Sequence, residues 1–277
     1  MDQYLRLIWL VPLGLFTGAF GTLIGAGGGF ALVPLLLWLY PTEAPETITS
    51  ISLAVVFFNA LSASLAYART KRIDYKSAII FSIAAVPGAV FGAFTTTFIP
   101  RRKFDALFGI LMIVVSALLF LRPGKKGPGL ATSVGSLAQS KTNEPSFSGV
   151  SPDKLLLGAG LSSALGYLSS LLGIGAGFIY VPALVYGLNF PVQNATATSL
   201  FILMIMAFTG SATHVFAGLF EHGIRRTIAL TIGVVIGAQL GVRLSHHVHG
   251  SWIFRGLAVA LGFVGARLLF MAGGVEF

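Results

Sequence analysis

"GTLIGAGGGF", residues 21–30, places five glycines inside one long apolar segment. Glycine loses more conformational freedom on ordering than any other residue, so a cluster of glycines in a hydrophobic helix requires a physical reason. Three interpretations compete: a phosphate-binding loop, a surface for close helix packing, and an interruption of a membrane-spanning helix. The rest of the sequence is needed to decide between them.

The composition indicates a membrane protein. Hydrophobic residues make up 55% of the 277 residues, charged residues make up 10%, and the mean hydropathy is +0.87. A soluble domain carries roughly 25% charged residues, so this chain has too little polar surface to face water alone. The apolar runs are continuous rather than alternating, which predicts an all-α polytopic protein with about eight transmembrane segments. These segments cover residues 5–40, 47–68, 77–99, 104–121, 154–187, 192–219, 227–245 and 252–272.

The net charge of +9 comes from short basic clusters between the apolar runs. Such clusters are typical of cytoplasmic loops rather than of a nucleic-acid-binding face, so no nucleic-acid partner is expected. If each half of the chain crosses the membrane four times, twelve Lys and Arg residues lie on the side of the termini and the linker. The other side has five, namely Arg101, Arg102, Lys103, Arg243 and Arg255, and Arg267 lies within the last segment. The count predicts that both termini and the linker are cytoplasmic.

The two halves of the chain repeat each other. "GAGGGFALVPLL" (25–36) matches "GIGAGFIYVPAL" (173–184) at an offset of 148, and "TSISL" (49–53) matches "TATSL" (196–200) at an offset of 147. Internal repeats are typical of transporters whose substrate site lies at the repeat interface. Whether the repeats are parallel or inverted depends on whether the first segment of each crosses the membrane. The predicted domains are a first transmembrane repeat, a polar linker and a second transmembrane repeat, at 1–121, 122–153 and 154–277.

An interrupted helix explains the glycine motif best. A phosphate-binding loop needs a strand before it, which this segment lacks, whereas Gly25 and Gly29 do fit the spacing for close helix packing. The segment is also too long for one span, because 36 helical residues would reach about 54 Å. A break between pieces 5–24 and 30–40 would aim the N-terminus of the second piece at the gap and create an anion site. The candidate residues of the two breaks are Gly25, Gly27, Gly28, Gly29, Gly173, Gly175 and Gly177.

Pro34 and Pro182 follow the two glycine motifs at matching positions. A proline in the first helical turn costs little because its missing N–H would have no partner there. The spacing predicts that each proline lies near the start of the second helical piece. The alternative is an ordinary kink in a membrane helix.

The second span of each half carries hydroxyl groups at equivalent positions. Thr49 and Ser52 match Thr196 and Ser199. Helical spacing places Asn59 on the stripe of Ser52 and places His214 on the stripe of Ser199. Hydroxyl, amide and imidazole groups can all donate hydrogen bonds to an oxyanion. The alternatives are that the hydroxyls bond to their own helix carbonyls and that His214 is a packing residue.

The nine acidic residues all lie in loops, termini or span ends. Carriers of protons and cations commonly place carboxylates at membrane depth, so their absence favours an anionic substrate. It also excludes catalysis by paired carboxylates inside the membrane, and no enzyme activity is expected. The chain has no cysteine, and "HHVH" (246–249) fits an interfacial loop, so neither a cofactor nor a metal site is predicted. The expected partners are a small anion, the lipid bilayer and a second copy in a homo-oligomer.

The doubled glycine, proline and hydroxyl pattern resembles the sulfite exporter TauE/SafE family of membrane permeases. The resemblance covers both halves and excludes the linker. It implies a multi-pass transporter in a prokaryotic inner membrane, for small organosulfur compounds or sulfur oxyanions such as sulfite, sulfoacetate or another sulfonate. The second motif has Ala176 where the first has Gly28, so the two half-sites need not be equivalent. The competing hypotheses are an anion channel and a membrane scaffold or enzyme that uses the glycines for packing alone.

Overall fold

The computed structural model describes residues 2–121, 152–187, 190–218, 223–244 and 262–270, and every regular element within them is helical. The predicted all-α class is therefore confirmed. The "HHVH" stretch and all but the last two residues of the predicted linker lie outside the described residues. The helices are α1 (Asp2–Ile24), α2 (Gly29–Leu39), α3 (Pro45–Arg69), α4 (Tyr75–Thr96), α5 (Arg101–Leu121), α6 (Pro152–Leu172), α7 (Gly177–Pro182), α8 (Val192–Phe216), α9 (Ile224–Leu244) and α10 (262–270).

Four of the described helices are long and apolar enough to cross a membrane, judged by length and composition. They are α3, α4, α8 and α9. Large apolar side chains on these helices face outward; Ile83 and Phe91 on α4, for example, are more than 60% exposed. Outward apolar surface of this extent suits contact with lipid chains. The chain is a multi-pass membrane protein.

The helices form two compact units. Helices α5 and α10 belong to the smaller unit, in which Phe104 and Phe108 are fully buried and Gly109 packs closely on Gly265. Helices α1 to α4 and α6 to α9 belong to the larger unit. The larger unit thus contains helices from both halves of the sequence and both glycine motifs.

In the larger unit, glycines allow helices from different halves to pack at backbone distance. A Cβ atom added to Gly18 of α1 would lie 2.7 Å from the carbonyl oxygen of Val234 of α9, and one added to Gly241 would lie 2.5 Å from that of Ala19. The residue numbers increase together, so α1 and α9 run parallel. Gly92 of α4 meets Tyr167 of α6 in the same way. Small residues at such contacts are how membrane helices approach closely.

Helices α3 and α8 cross at the centre of the larger unit and run antiparallel. Ser50, near the start of α3, bonds to His214, near the end of α8. The rings of Phe57 and Phe208 meet between these ends, with centroids 5.4 Å apart. Helices α3 and α8 carry the hydroxyl, amide and imidazole groups predicted from the sequence, and these groups lie in the interior of the unit.

Candidate functional site

The first glycine motif is a true interruption of the helix. Helix α1 ends at Ile24 and α2 begins at Gly29, and Gly25, Gly27 and Gly28 all have φ between 75° and 79°. This left-handed conformation costs an L-residue about 1–2 kcal/mol, which explains why glycine occupies these positions. The N–H groups of Ala26 and Gly27 both donate to the carbonyl of Gly21, at 2.8 and 3.1 Å, and close the end of α1.

The second motif also breaks its helix, but with different local geometry. Helix α6 ends at Leu172, α7 begins at Gly177, and Gly173 and Gly175 have φ of 68° and 70°. Ala176, at the position of Gly28, instead has φ −74° and donates its N–H to the Oγ of Ser169 at 3.3 Å. The first half has Gly21 at the position of Ser169, and glycine offers no such acceptor. The two half-sites are therefore not equivalent.

The two prolines occupy different places from those predicted. Pro34 is the sixth residue of α2 and so lies in the second turn rather than the first. Pro182 is the last residue of α7, and the chain continues as a π-helical turn, Ala183–Gly187. Each proline is the sixth residue of its helix, so each removes a hydrogen bond to the first helical turn.

Two serines bond crosswise between the halves of the chain. The Oγ of Ser52, on α3, donates to the carbonyl of Gly173 at 2.6 Å. The Oγ of Ser199, on α8, donates to the carbonyl of Gly25 at 3.2 Å. Each serine therefore stabilises the break that belongs to the other half. Ser52 uses its proton at the break, whereas the Oγ of Ser199 also lies 2.9 Å from the carbonyl of Thr196 in its own helix, so its one proton is shared between the two carbonyls.

The two threonines lie against the breaks. A Cβ atom at Gly173 would lie 3.0 Å from the Cα of Thr49, and one at Gly25 would lie 2.9 Å from the Cγ2 of Thr196. The hydroxyl of Thr49 bonds to the carbonyls of Pro45 and Glu46 within its own helix, as the alternative interpretation expects. The threonines thus contribute mainly packing surface around the breaks.

Val56 and Leu203 fill the space between the two breaks, and the sequence analysis did not identify them. A Cβ atom at Gly175 would lie 3.0 Å from Leu203 Cδ1 and 3.3 Å from Val56 Cγ1, and one at Gly29 would lie 2.7 Å from Val56 Cγ2. The two residues are 147 positions apart and follow Ser52 and Ser199 by one helical turn. Their equivalent positions in the repeat could have identified them, but apolar residues occur at most positions of these helices and so carry little information.

Three polar groups at the start of α2 have hydrogen-bonding capacity left over. Asn59 is fully buried, and its Oδ1 accepts a bond of 3.1 Å from Thr22, whereas its Nδ2 has no partner. A Cβ atom at Gly28 would lie 3.6 Å from this Nδ2. The backbone N–H groups of Gly28 and Gly29 donate to no carbonyl of the described residues. A buried unpaired donor costs about 1–3 kcal/mol, so this grouping favours an acceptor ligand.

His214 forms a second polar cluster at the start of α3 and the end of α8. It is fully buried, its Nδ1 lies 2.7 Å from the Oγ of Ser50, and its Nε2 has no partner. One turn earlier on α8, a Cβ atom at Gly210 would lie 2.7 Å from the Oγ of Ser170, which also has no partner. His214 is thus in contact with Ser50, and Ser170 lies nearby on α6.

Acidic residues and metal-ligand clusters are sparse around these groups. Within the described ranges, no three His, Cys, Asp or Glu side chains come together as a possible metal site. Asp105, a buried acid and the fifth residue of α5, accepts a hydrogen bond of 2.8 Å from the Nε of Arg101. Asp105 belongs to the smaller unit.

Fold and site together define a polytopic helical membrane protein built around two broken helices. Residues 10–268 match the family model of the sulfite exporter TauE/SafE, and the chain belongs to that family. It is 33% identical to the probable membrane transporter protein YunE of Bacillus subtilis, over 94% of this chain and 96% of the relative. It is 24% identical to a probable membrane transporter protein of Methanocaldococcus jannaschii, over 94% of each chain. No solved structure matches the chain significantly. The protein is a membrane transporter and not an enzyme.

Proposed function

We propose that the protein is a secondary transporter of a small anion, with its site between the two repeats. The grouping of unpaired donors at the start of α2 is the observation that carries this proposal. A helix N-terminus favours negative charge, and Asn59 adds a neutral side-chain donor to it. The family points to a sulfur oxyanion or organosulfur compound, such as sulfite, sulfoacetate or another sulfonate.

The chemistry of such a substrate suits these donors. The oxygens of a sulfonate or sulfite can accept bonds from the N–H groups of Gly28 and Gly29 and from the Nδ2 of Asn59. Ser52 and Ser199 keep the breaks in place, and Val56 and Leu203 form an apolar floor between them. Around this centre we place the remaining lining residues, namely Gly25, Gly27, Pro34, Thr49, Gly173, Gly175, Gly177, Pro182, Thr196 and His214.

The arrangement of helices supports a carrier. Helices α3 and α8 hold equivalent positions in the two halves and run antiparallel, as expected of inverted repeats. In such repeats, rocking of one half against the other exposes a central site to each side of the membrane in turn. The crosswise serine bonds join the halves at the point about which this movement would occur.

A pair of variants tests the anion site. We expect Asn59→Leu to weaken binding of sulfite, thiosulfate or sulfoacetate at least tenfold, because losing one charge-assisted bond costs about 1.5–3 kcal/mol. Thr22→Val is the matched control, since it removes the same Thr22–Asn59 bond but leaves the Nδ2 donor in place. Binding is measured on the purified protein by scintillation proximity and by thermal shift. Equal losses in the two variants, or binding of cations but not of these anions, would contradict the proposal.

Counterflow separates the alternatives. A carrier loaded with unlabelled anion accelerates uptake of labelled anion into proteoliposomes, whereas a channel does not. A scaffold or enzyme that uses the glycines for packing alone would show neither uptake nor anion binding. The antiparallel crossing of equivalent helices favours the carrier over both.

A further inference from the structure

We propose that His214, supported by Ser50, binds the proton that is transported together with the anion. This inference rests on the proposed function and adds its coupling ion. It follows from the hydrogen bonding, burial and surroundings of the imidazole. Among the described residues, His214 is the one histidine, and it is fully buried within α8.

The hydrogen bonds indicate which nitrogen of His214 is free to take up a proton. The Oγ of Ser50 lies 2.5 Å from the carbonyl of Glu46 and 2.7 Å from the Nδ1 of His214. The hydroxyl has a single proton, and the short contact to the carbonyl assigns it there. Nδ1 must then carry a hydrogen and donate to Oγ, which leaves Nε2 as a bare acceptor. Protonation at Nε2 therefore requires no rearrangement of the Ser50 bond.

No fixed charge among the described residues bonds to this nitrogen. At the same end of α8, Glu46 is partly exposed, and Glu43 forms a 2.7 Å ion pair with Arg226. The N–H of Asp74 bonds to Thr198, which places the start of α4 at the opposite end of α8. The other titratable residues on the elements packed against α8 are Tyr67, Arg69, Tyr75, Lys76, Asp153, Lys154, Tyr167, Tyr180 and Tyr186. A proton on Nε2 therefore adds a new positive charge to the interior.

The charge on His214 and the anion would stabilise each other. Ser50 and Asn59 are nine residues apart on α3, which corresponds to about 14 Å along the helix. Opposite unit charges at that distance, at an effective dielectric constant of about 20, change affinity by roughly fivefold to tenfold. The coupling is reciprocal, so the anion favours protonation of His214 by the same factor. Anion and proton would then cross the membrane together with reduced net charge.

The pH dependence of anion binding tests this coupling. Thiosulfate is the probe, because its charge does not change across pH about 5.5 to 8.5, the range in which an imidazole titrates. We expect its affinity for the wild type to fall roughly fivefold to tenfold across this range as His214 loses its proton. In His214→Gln the affinity should change less than twofold. Tyr67→Phe, at the repeat-equivalent position, is the matched control and should keep the wild-type dependence.

Proton movement gives a second readout. In proteoliposomes that contain a pH-sensitive dye, a thiosulfate gradient should drive protons with the anion through the wild type and not through His214→Gln. Ser50→Ala removes the acceptor of the Nδ1–H bond, so the midpoint of the pH dependence should move to lower pH. Ser50→Ala therefore still tests the proposal if His214→Gln does not fold.

The possible failures are distinguishable. If no sulfur oxyanion binds at any pH, the proposed function itself fails. If thiosulfate binds but its affinity does not depend on pH, or if the dependence persists in His214→Gln, the role of His214 alone is refuted. Anion transport without proton movement in the wild type refutes it as well.

Discussion

Individual glycines at the breaks have two separable roles: they allow a left-handed backbone and they leave room for neighbours. Gly27 needs both, because its φ is 75° and an added Cβ would overlap the Cδ2 of Leu203. Gly218 needs only the first, since its φ is 73° and nothing lies within 4 Å of an added Cβ. Comparing the two residues therefore separates backbone strain from crowding.

Gly27→Ala should destabilise the protein more than Gly218→Ala. We expect Gly218→Ala to cost about 1–2 kcal/mol from strain alone, and Gly27→Ala to cost that amount plus about 1–3 kcal/mol from overpacking. In a Leu203→Ala background, Gly27→Ala should cost only the strain, because the overlapping Cδ2 is absent. Thermal unfolding of the purified variants measures these differences. Equal melting temperatures for the two glycine variants would contradict the close packing of Leu203 on the break.

Helical spacing predicted which polar residues share a face, but their hydrogen-bond partners could not be predicted. Ser52 and Asn59 lie on one stripe of α3, as helical spacing indicated. The hydroxyl of Ser52 is bonded to a carbonyl 121 positions away, whereas the Nδ2 of Asn59 has no partner. The periodicity of a helix shows which residues share a face. It does not show which of them meets a carbonyl of a distant segment.

At the scale of the helix, glycine position decides how close two helices come. On α6, an added Cβ at Gly166 would overlap the carbonyl of Ala85 on α4, whereas one at Gly160 would meet nothing within 4 Å. Gly166 thus lies against a neighbouring backbone, whereas Gly160 has free space around it. Only the first position limits the distance between α4 and α6.

Gly166→Ala and Gly160→Ala should have opposite effects. We expect Gly166→Ala to destabilise the protein by about 1–3 kcal/mol, because backbone atoms of α4 must move. Gly160→Ala should be neutral or stabilising by up to about 1 kcal/mol, since alanine favours the helix more than glycine does. Melting temperature and the monodisperse fraction in detergent report the difference. If both variants behaved alike, the packing of α4 on α6 would be incorrect.

The breaks themselves were predictable from element length and glycine spacing, but the details of the second were not. Segment length and glycine spacing predict pieces 5–24 and 30–40, and the structure has Asp2–Ile24 and Gly29–Leu39. The second piece of the other half is shorter, because Gly177–Pro182 passes into a π-helical turn. The consequences of proline within a helix depend on packing, which local sequence does not encode.

For the larger unit, the directions of the helices predict the topology. Glu43, just before α3, bonds to Arg226 at the start of α9, so the starts of α3 and α9 lie together. Because α1 runs parallel to α9, the N-terminal end of α1 lies at the same end. Helix α6 runs parallel to α4, which begins where α3 ends. The end of α4 lies near the start of α3. Thr96, near the end of α4, bonds to the carbonyl of Leu171. Two residues further on, the carbonyl of Gly173 accepts a bond from Ser52, near the start of α3. The start of α6 therefore lies at the opposite end from the start of α1.

We accordingly propose inverted repeats, with the start of α6 on the face opposite the N-terminal end of α1. The charge count had grouped the termini with the linker, because it assumed four full crossings in each half. With α2 not counted as a crossing, the basic residues around the end of α3 and the start of α6 lie on one face. The excess of Lys and Arg then favours a cytoplasmic linker and an N-terminus outside.

Single cysteines test this topology without background, since the chain has none. Thr42→Cys, between α2 and α3, and Asp153→Cys, at the start of α6, should be labelled by a membrane-impermeant maleimide from opposite sides of intact cells. Thr42→Cys is expected to react from outside, and Asp153→Cys only after the cells are permeabilised. Labelling of both from the same side would contradict the inverted arrangement.

By itself, the sequence determined the membrane environment, the helical class, the internal repeat and the two helix breaks. These properties follow from composition, periodicity and length, which are local or additive along the chain. Only the tertiary structure decided that each serine stabilises the opposite break and that Val56 and Leu203 separate the breaks. It also decided that donors at Asn59 and at the start of α2 are left unpaired. The physical reason is that these contacts join residues more than a hundred positions apart, and packing of the two halves alone brings them within bonding distance.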